Sequence, residues 1–332
     1  SNPHSLNNIS QNSTKKIKEV RNKILKYVNA SPELYDCIFT SGTTHSLKII
    51  GEYFNWNINN KFIYTVDNHT SVIGIREYAL NKGSTVKVID FNKENKLEII
   101  SSFKNDKINN NNNNNTNNSQ KDNYNLCVFP AESNFSGKIY NKELIRNVKN
   151  EFGLNTIFVY DVAKFISTDK LDMSNNLIDI IPISFYKIFG FPTGIGVLII
   201  KKSITKHFNK TYYGGGTVIS NSAYKNFHIK KNNFVQKFED GSPNYISIIH
   251  LDKLLDKNNI NTLYIKKICY YFLQKILDLK YNNNKKLCKI YDIDTQYKLE
   301  EFLIKHGTII TFNLLTITGK RINFKEVEKL LN

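Results

Sequence analysis

Short apolar segments separated by amphipathic stretches constrain the fold of this chain more than any other feature of its sequence. Six such segments carry the β-branched and aromatic residues typical of strands, and polar turns bound each of them. Because strands that alternate with helices build a mostly parallel sheet, the pattern predicts an α/β fold. The six segments are CIFT (37–40), KFIYTV (61–66), TVKVID (85–90), NLCVFP (125–130), TIFVYD (156–161) and GVLIIKK (196–202).

Helical spacing of apolar residues fills several of the intervals between these segments. After Gly241 the pattern is first helical and then mixed, which indicates a smaller C-terminal lobe. We therefore predict a large domain over residues 1–255 and part of a smaller α+β domain over residues 256–332, a division that 332 residues allow. Helices are predicted at residues 15–28, 45–54, 72–82, 143–152, 246–255 and 262–279.

An asparagine-rich insert interrupts the large domain at residues 104–122. It contains seven consecutive asparagines at 109–115 and has no apolar residue after Ile108. Such a segment cannot bury enough surface to offset its ordering entropy, so we predict a disordered surface loop.

The net charge of +17 raises the question of nucleic-acid binding. The lysines, however, are spread among asparagines along the whole chain, and aromatic residues are not interleaved with them for base stacking. We expect no nucleic-acid partner. We also expect no membrane span, because charged residues and prolines interrupt the longest apolar region, 177–200.

The cysteines indicate a reducing compartment. None of the four forms a CxxC pair, so neither a zinc site nor a disulfide framework is indicated, and no metal is expected. The first residues, SNPHSLNNIS, lack the basic and apolar regions of a signal peptide. A cytoplasmic location is expected, with an organelle as the alternative. Cys37 and Cys127 lie in strand-like segments and are predicted to be buried structural thiols.

Lys187 lies in an unusual place, the segment PISFYKIFGFPTGIG at residues 182–196, where most of its neighbours are apolar. A buried amine loses its charge more easily, and its lowered pKa makes it a better nucleophile. We therefore expect Lys187 to be desolvated and reactive.

A Ser-Gly-Thr-Thr turn, residues 41–44, joins the first predicted strand to a predicted helix. The free backbone N–H groups and hydroxyls of such a turn, at the positive end of a helix dipole, make a good phosphate site. The alternative is an ordinary helix cap, which is the better interpretation of the turn taken alone.

Asp161 ends a predicted strand, and His69 follows another. Ligands of α/β proteins bind at the carboxyl ends of the strands, so both side chains are candidates for a site. Taken singly, an aspartate in a turn or a structural histidine explains each of them equally well or better.

Together, these four features are the parts of a pyridoxal-phosphate (PLP) site. A lysine forms the Schiff base, a turn holds the phosphate, and an aspartate keeps the pyridine nitrogen protonated so that the ring accepts electrons. The histidine completes the set as an aromatic ring near the cofactor.

Seven motifs extend this interpretation along the chain. In their order they resemble the molybdenum cofactor sulfurases, class V aminotransferase-fold enzymes related to the cysteine desulfurases. The resemblance implies the PLP-dependent transferase fold of type I. The motifs are NPHS, FTSGTTHSLKIIGEYF, DNHTSVIGIREYA, FPAESNFSGKIY, PISFYKIFGFPTGIG, YYGGGT and FEDGSPNYISII.

The resemblance also implies roles for individual residues. Lys187 would be the Schiff-base lysine, His69 would stack on the ring, and Asp161 would contact the ring nitrogen. Asn134 would lie near the ring hydroxyl. The phosphate would be held by Ser41, Gly42, Thr43, Thr44 and Ser184, and by Gly241 and Ser242 of the other subunit in a homodimer.

The implied reaction takes sulfur from L-cysteine. A cysteine thiolate attacks the substrate sulfur, alanine is released, and the sulfur passes to the molybdenum cofactor or its carrier enzymes. Two alternatives remain: another class V PLP enzyme, such as an iron–sulfur-cluster desulfurase or a lyase, and a non-catalytic scaffold with the same fold.

Two departures from the family pattern stand out. Lys164 replaces a glutamine or a small residue, and it would either alter the cofactor's surroundings or point to solvent. The persulfide-carrying cysteine of the family is expected in a loop beyond Asn332, and none of the four cysteines matches it: Cys37, Cys127, Cys269 and Cys288.

Overall fold

A computed structural model describes residues 7–92, 94–105, 123–256 and 261–331. Its central feature is an eight-stranded sheet with the strand order β1-β8-β7-β6-β5-β2-β3-β4. The strands are β1 (Tyr35–Thr40), β2 (Lys61–Thr65), β3 (Thr85–Phe91), β4 (Leu97–Phe103), β5 (Asn125–Pro130), β6 (Thr156–Asp161), β7 (Ile180–Ser184) and β8 (Gly196–Lys201).

The sheet is mixed but mostly parallel, as the sequence predicts. Strands β3, β2, β5, β6 and β7 pair in parallel, whereas β8 is antiparallel to both β7 and β1, and β4 is antiparallel to β3. It follows that β1 runs in the same direction as the five parallel strands. Six strands therefore end at one edge of the sheet.

Helices cover both faces of the sheet. Alternate residues of one strand belong to different cores: Val197 and Ile199 of β8 join one cluster, and Leu198 and Ile200 join the other. This burial on both faces is why the strands read as continuous apolar runs. The helices are α1 (Asn8–Tyr27), α2 (Thr43–Tyr53), α3 (Thr70–Ile73), α4 (Ile75–Asn81), α5 (Ile145–Phe152), α6 (Tyr186–Phe189), α7 (Phe234–Phe238), α8 (Tyr245–Asp256), α9 (Thr262–Asp278), α10 (Leu299–Lys305) and α11 (Phe324–Leu331).

Two strands of the sheet were missed by the sequence patterns. Strand β7 contains Pro182, which cannot donate a ladder hydrogen bond and argues against a central strand. Strand β4 lies at the sheet edge and is mostly exposed, so its sequence lacks a buried apolar run. The six predicted strands and six predicted helices are present, although Gly74 divides the helix predicted at 72–82 into α3 and α4.

The C-terminal part contains α9 to α11 and a two-stranded sheet, β11 (Cys288–Ile290) and β12 (Phe312–Leu314). A second small hairpin, β9 (Val218–Asn221) and β10 (His228–Lys230), precedes α7. The domain boundary at residue 255 stays a prediction. Most of the asparagine-rich insert, from residue 106 to 122, lies outside the described residues.

Candidate functional site

The candidate residues lie where strands meet one edge of the sheet. Asp161 and Ser184 are the last residues of β6 and β7, and the Ser-Gly-Thr-Thr turn follows the last residue of β1. His69 follows β2, and Asn134 follows β5. Because these five strands run in the same direction, the topology brings all these residues to one edge.

The turn after β1 is fixed by hydrogen bonds to the end of β7. The Oγ of Ser184 accepts from the backbone N–H of Thr43 at 2.8 Å and donates to the Thr43 Oγ1 at 3.0 Å. Both residues are buried, and Thr43 begins α2. The structure thus places two hydroxyls at a helix N-terminus, which is favourable for binding a phosphate.

Close backbone packing shapes this turn. Gly42 has a φ of 140°, and a Cβ on it would lie 3.1 Å from the Ser184 Oγ. A Cβ on Gly196, at the start of β8, would lie 2.6 Å from the Gly42 Cα. Side chains at these two positions would push the turn away from β7, so the glycines are required for its shape.

Thr44 and His69 are connected by a residue that the sequence patterns did not identify, Ser71. The Oγ of Ser71 lies 3.0 Å from the Thr44 Oγ1 and 3.1 Å from the His69 Nδ1. The backbone N–H of Ser71 also donates to His69 Nδ1 at 3.1 Å, so His69 caps α3. Because Nδ1 is an acceptor, a neutral His69 carries its proton on Nε2.

Asp161 is buried at the end of β6, with 7% of its surface exposed. Its Oδ1 accepts from the backbone N–H of Ala163 at 3.0 Å. Burial raises the pKa of Asp161, whereas the Ala163 N–H and the positive charges of Lys187 and His69 act in the opposite direction. Lys187 and His69 therefore each lie within electrostatic reach of Asp161.

The expected burial of Lys187 is wrong. Lys187 is exposed, although it lies in the one-turn helix α6 immediately after β7. Its apolar neighbours Phe185 and Ile188 turn into the core instead. A single helical turn points consecutive side chains in different directions, so apolar neighbours in sequence do not bury a residue between them.

Lys164 does not point to solvent, since its side chain is only 25% exposed and contacts other residues. An effect of Lys164 on the cofactor's surroundings stays a prediction. Its Nζ donates to the Oγ1 of Thr308 at 2.8 Å and lies 3.8 Å from Glu132 Oε1. Glu132 and the exposed Asn134 belong to the same segment after β5. Lys164 thus connects this segment to the C-terminal part of the chain.

Gly241 and Ser242 follow a residue that is tied to β1. Glu239 Oε1 accepts from the backbone N–H of Phe39 at 2.7 Å and from Arg21 Nη1 at 2.8 Å. The turn containing Gly241, which has a φ of 73°, is thereby anchored beside the strand that leads to Ser41. A contact of Gly241 and Ser242 with a partner subunit's phosphate stays a prediction.

These donors fit PLP. The turn and the end of β7 offer the hydroxyls of Thr43, Thr44 and Ser184 at a helix N-terminus, and a side chain at Gly42 would crowd the Ser184 hydroxyl. A buried carboxylate and an exposed amine are available at the same sheet edge for the ring nitrogen and the aldehyde. Among the described residues, no group of three or more His, Cys, Asp or Glu side chains is arranged to hold a metal ion.

Sequence comparison identifies one family and close relatives. Residues 1–269 match the family described as aminotransferase class-V. The molybdenum cofactor sulfurase of Oryza sativa subsp. japonica is 37% identical over 355 residues, covering 99% of this chain and 43% of the relative. That of Arabidopsis thaliana is 34% identical, with coverages of 99% and 43%. These matches confirm the resemblance inferred from the motifs, and this chain spans less than half the length of either relative.

Structure comparison confirms the fold class. The apo cysteine desulfurase of Thermococcus onnurineus NA1 superposes with a TM-score of 0.73 at 22% identity, covering 100% of this chain and 75% of that one. The cystine C–S lyase C-DES, in complex with its product cysteine persulfide, has a TM-score of 0.70 at 14% identity, with coverages of 99% and 79%. A C-DES variant with glycine covalently linked to PLP has a TM-score of 0.68 at 15% identity, with coverages of 99% and 78%.

Within the part of the chain that the structure describes, each helix is too short or too polar to cross a bilayer.

Proposed function

Because this chain belongs to the aminotransferase class-V family, whose members are PLP enzymes, we propose that it is the cysteine desulfurase-type domain of a molybdenum cofactor sulfurase. One observation carries the proposal. The Ser184–Thr43 pair, the buried carboxylate of Asp161 and the amine of Lys187 come together at one edge of the sheet.

Two charged side chains have the central roles. Lys187, exposed three residues after β7, would bond to the cofactor aldehyde and later, once free, move the proton on the substrate Cα. Asp161 would hold a proton on the ring nitrogen, and a bound cation there would compensate for the cost of burying the carboxylate. PLP, when bound, supplies the electron sink.

The remaining residues orient the cofactor. Thr43, Thr44 and Ser184 would donate to the phosphate, together with Ser41 and Gly42 of the same turn. His69 would lie against the ring, with its Nε2 as the proton-bearing nitrogen. Asn134 would bind the ring hydroxyl.

The proposed reaction balances with a thiol as the second substrate. The Cβ–S bond of L-cysteine breaks, the sulfur atom joins the attacking thiolate, and Cβ takes a proton. L-Cysteine and a thiol therefore give alanine and a persulfide. In the full enzyme that we propose, the persulfide sulfur is transferred to the molybdenum cofactor or to its carrier enzymes.

A homodimer is part of the proposal. The β9–β10 hairpin presents exposed apolar side chains, including Ile219 and Phe227, and the nearby Tyr224 is 98% exposed. A second copy could cover such a surface. In this arrangement Gly241 and Ser242 of the partner subunit would complete the phosphate site.

We also place the protein in the cytoplasm, with an organelle as the alternative location. The four cysteines are free thiols, which fits a reducing compartment.

A lyase is the second candidate function, because C-DES, described as a cystine C–S lyase, has the same fold. The products distinguish the two reactions. Desulfuration leaves the amino group on alanine, whereas an elimination releases ammonia and pyruvate. A non-catalytic scaffold would give neither set of products.

The test uses the protein with PLP, L-cysteine and dithiothreitol as the sulfur acceptor. We expect alanine and sulfide in equal amounts, and we expect Lys187→Ala to abolish both. The exposed Lys82 at the end of α4 provides the matched control, and Lys82→Ala should leave turnover unchanged. Pyruvate instead of alanine would favour the lyase, and no product in the presence of bound PLP would favour the scaffold.

A further inference from the structure

Residues 132–139, here called the Asn134 loop, pack against residues 305–311, here called the C-terminal clamp. The two segments are far apart in sequence, yet hydrogen bonds join them at several points. The contacts include Ile139 N–H to Lys305 O at 3.0 Å, Gly307 N–H to Gly137 O at 2.7 Å, His306 Nε2 to Ser136 O at 2.8 Å, and the Thr311 hydroxyl to Phe135 O.

Glu132 lies at the start of this loop and contacts two other elements. Its Oε1 accepts from the backbone N–H of Thr308 at 3.0 Å. Lys164, which follows β6, lies 3.8 Å from the same oxygen and donates to the Thr308 hydroxyl at 2.8 Å. Glu132, Lys164 and Thr308 therefore form one junction between the sheet edge and the C-terminal clamp.

The carboxylate in this junction is almost fully buried. Glu132 is 2% exposed, and its Oε2 has no hydrogen-bond partner within the described part of the chain. Burial raises the pKa of Glu132, whereas the charge of Lys164 and the N–H of Thr308 oppose this rise. Because only one carboxylate oxygen is satisfied, loss of the Thr308 contact would leave a buried acceptor at a high cost in free energy.

The junction has no room for a side chain at residue 307 of the clamp. A Cβ on Gly307 would overlap the carboxyl group of Glu132. A side chain at residue 307 would therefore displace the Glu132 carboxylate. Glycine has none, so the clamp backbone can approach the carboxylate this closely.

We propose that Glu132 is a positioning residue that, with Thr308 and Lys164, lets the C-terminal clamp fix the Asn134 loop and thereby sets the affinity for PLP. The inference rests on the proposed function, in which Asn134 binds the ring hydroxyl. Glu132 itself acts through Asn134 and does not touch the cofactor.

The first test measures PLP affinity in variants of the junction. Glu132→Ala and Gly307→Ala should each weaken PLP binding by about tenfold. The first change removes the acceptor of the Thr308 N–H, and the second displaces it. Glu132→Gln keeps that acceptor and should bind like the parent. Glu151 is exposed on α5, so Glu151→Gln is the matched control and should have no effect.

A double-mutant cycle then asks whether the effect passes through Asn134. Glu132→Ala should weaken binding in the parent but cause little further loss in Asn134→Ala. Fully additive losses would show that Glu132 acts independently of Asn134 and would overturn the inference.

Amide hydrogen exchange of the cofactor-free protein provides a readout that needs no PLP. Glu132→Ala should accelerate exchange in the Asn134 loop and the C-terminal clamp but not in the central sheet. Faster exchange in the central sheet as well would indicate general destabilisation. Unchanged exchange in the loop and the clamp would show that the junction does not hold them in place. Either outcome overturns the inference. A parent protein that binds no PLP contradicts the proposed function instead, whereas PLP binding unaffected by Glu132→Ala contradicts only the inference.

Discussion

The carboxylate of Glu239 accepts a hydrogen bond from the backbone N–H of Phe39 at 2.7 Å and pairs with both Nη atoms of Arg21, at 2.8 and 3.2 Å. Arg21 on α1 and Glu239 after α7 are each only 17% exposed at the side chain. The contact joins the start of the chain, the strand that leads to Ser41, and the turn that contains Gly241.

Glu239→Ala should therefore lower the free energy of unfolding by about 2 kcal/mol, because it leaves the Phe39 N–H without its acceptor and a largely buried guanidinium without its carboxylate. Arg21 would keep only its hydrogen bond to the Cys37 carbonyl. Urea denaturation of the cofactor-free protein measures the change. Glu239→Gln keeps an acceptor for Phe39 and should lose less. Equal losses in the two variants would mean that the charge of Glu239 alone stabilises the fold and that the Phe39 contact contributes nothing.

Ser184→Ala should affect both stability and phosphate binding. It removes the acceptor of the Thr43 N–H, which costs about 1 kcal/mol, and it removes one hydroxyl from the proposed phosphate site. We expect binding of PLP to weaken by about tenfold or more, as followed by equilibrium dialysis. Ser101, exposed on the edge strand β4, provides the control variant Ser101→Ala. Unchanged PLP affinity in Ser184→Ala would exclude Ser184 from the site.

Asp161→Asn should stabilise the cofactor-free protein at neutral pH but lower the turnover of the PLP-loaded protein. Burial raises the pKa of Asp161, against the opposing Ala163 N–H, Lys187 and His69. The folded cofactor-free protein therefore loses stability as the pH rises through this pKa, because the ionised form is disfavoured there. The asparagine variant has no such titration, so it should be more stable than the parent at neutral pH, and the difference should disappear in acid.

With PLP and L-cysteine, the same variant should lose most of its turnover, because an amide cannot keep the ring nitrogen protonated. Thermal unfolding across a pH series and alanine release are the two measurements. A variant that is less stable than the parent at neutral pH, or that turns over cysteine at the parent rate, would contradict the role of Asp161.

The four cysteines should be dispensable when an external thiol is supplied. Burial raises the pKa of Cys37 to about 12 and that of Cys269 to about 11, and it also raises the pKa of Cys127 and Cys288. Few thiolates form at neutral pH in such surroundings, so none of the four is a good sulfur acceptor. Replacement of all four by alanine should preserve alanine release with dithiothreitol. A folded variant that has lost this activity would identify a catalytic cysteine among the four.

Much of the sheet could be predicted because its strands are buried on both faces. The free cysteines on β1 and β5, Cys37 and Cys127, are buried as predicted from their apolar surroundings. Strand β7 was missed because Pro182 argues against a central strand, although β7 positions Ser184 directly.

The site itself is less predictable, because its contacts depend on where side chains point and on residues that are distant in sequence. Lys187 was expected to be buried among its apolar neighbours, yet a single helical turn exposes it. The contact between Glu132 and Thr308 joins residues 176 positions apart, which no local pattern encodes. The contact between His69 and Ser71 is local and could be predicted, because a side chain that caps a helix accepts from the backbone N–H two or three residues later.

Covalent labelling of the PLP-loaded protein tests the central claim most directly. After reduction with borohydride, peptide mapping should find the pyridoxyl group on Lys187, the exposed amine that follows β7 and lies within electrostatic reach of Asp161. The other lysines of the site region, including Lys164 with its contact to Thr308, should remain unmodified. A pyridoxyl group on a different lysine, or none on a protein incubated with PLP, would contradict the account.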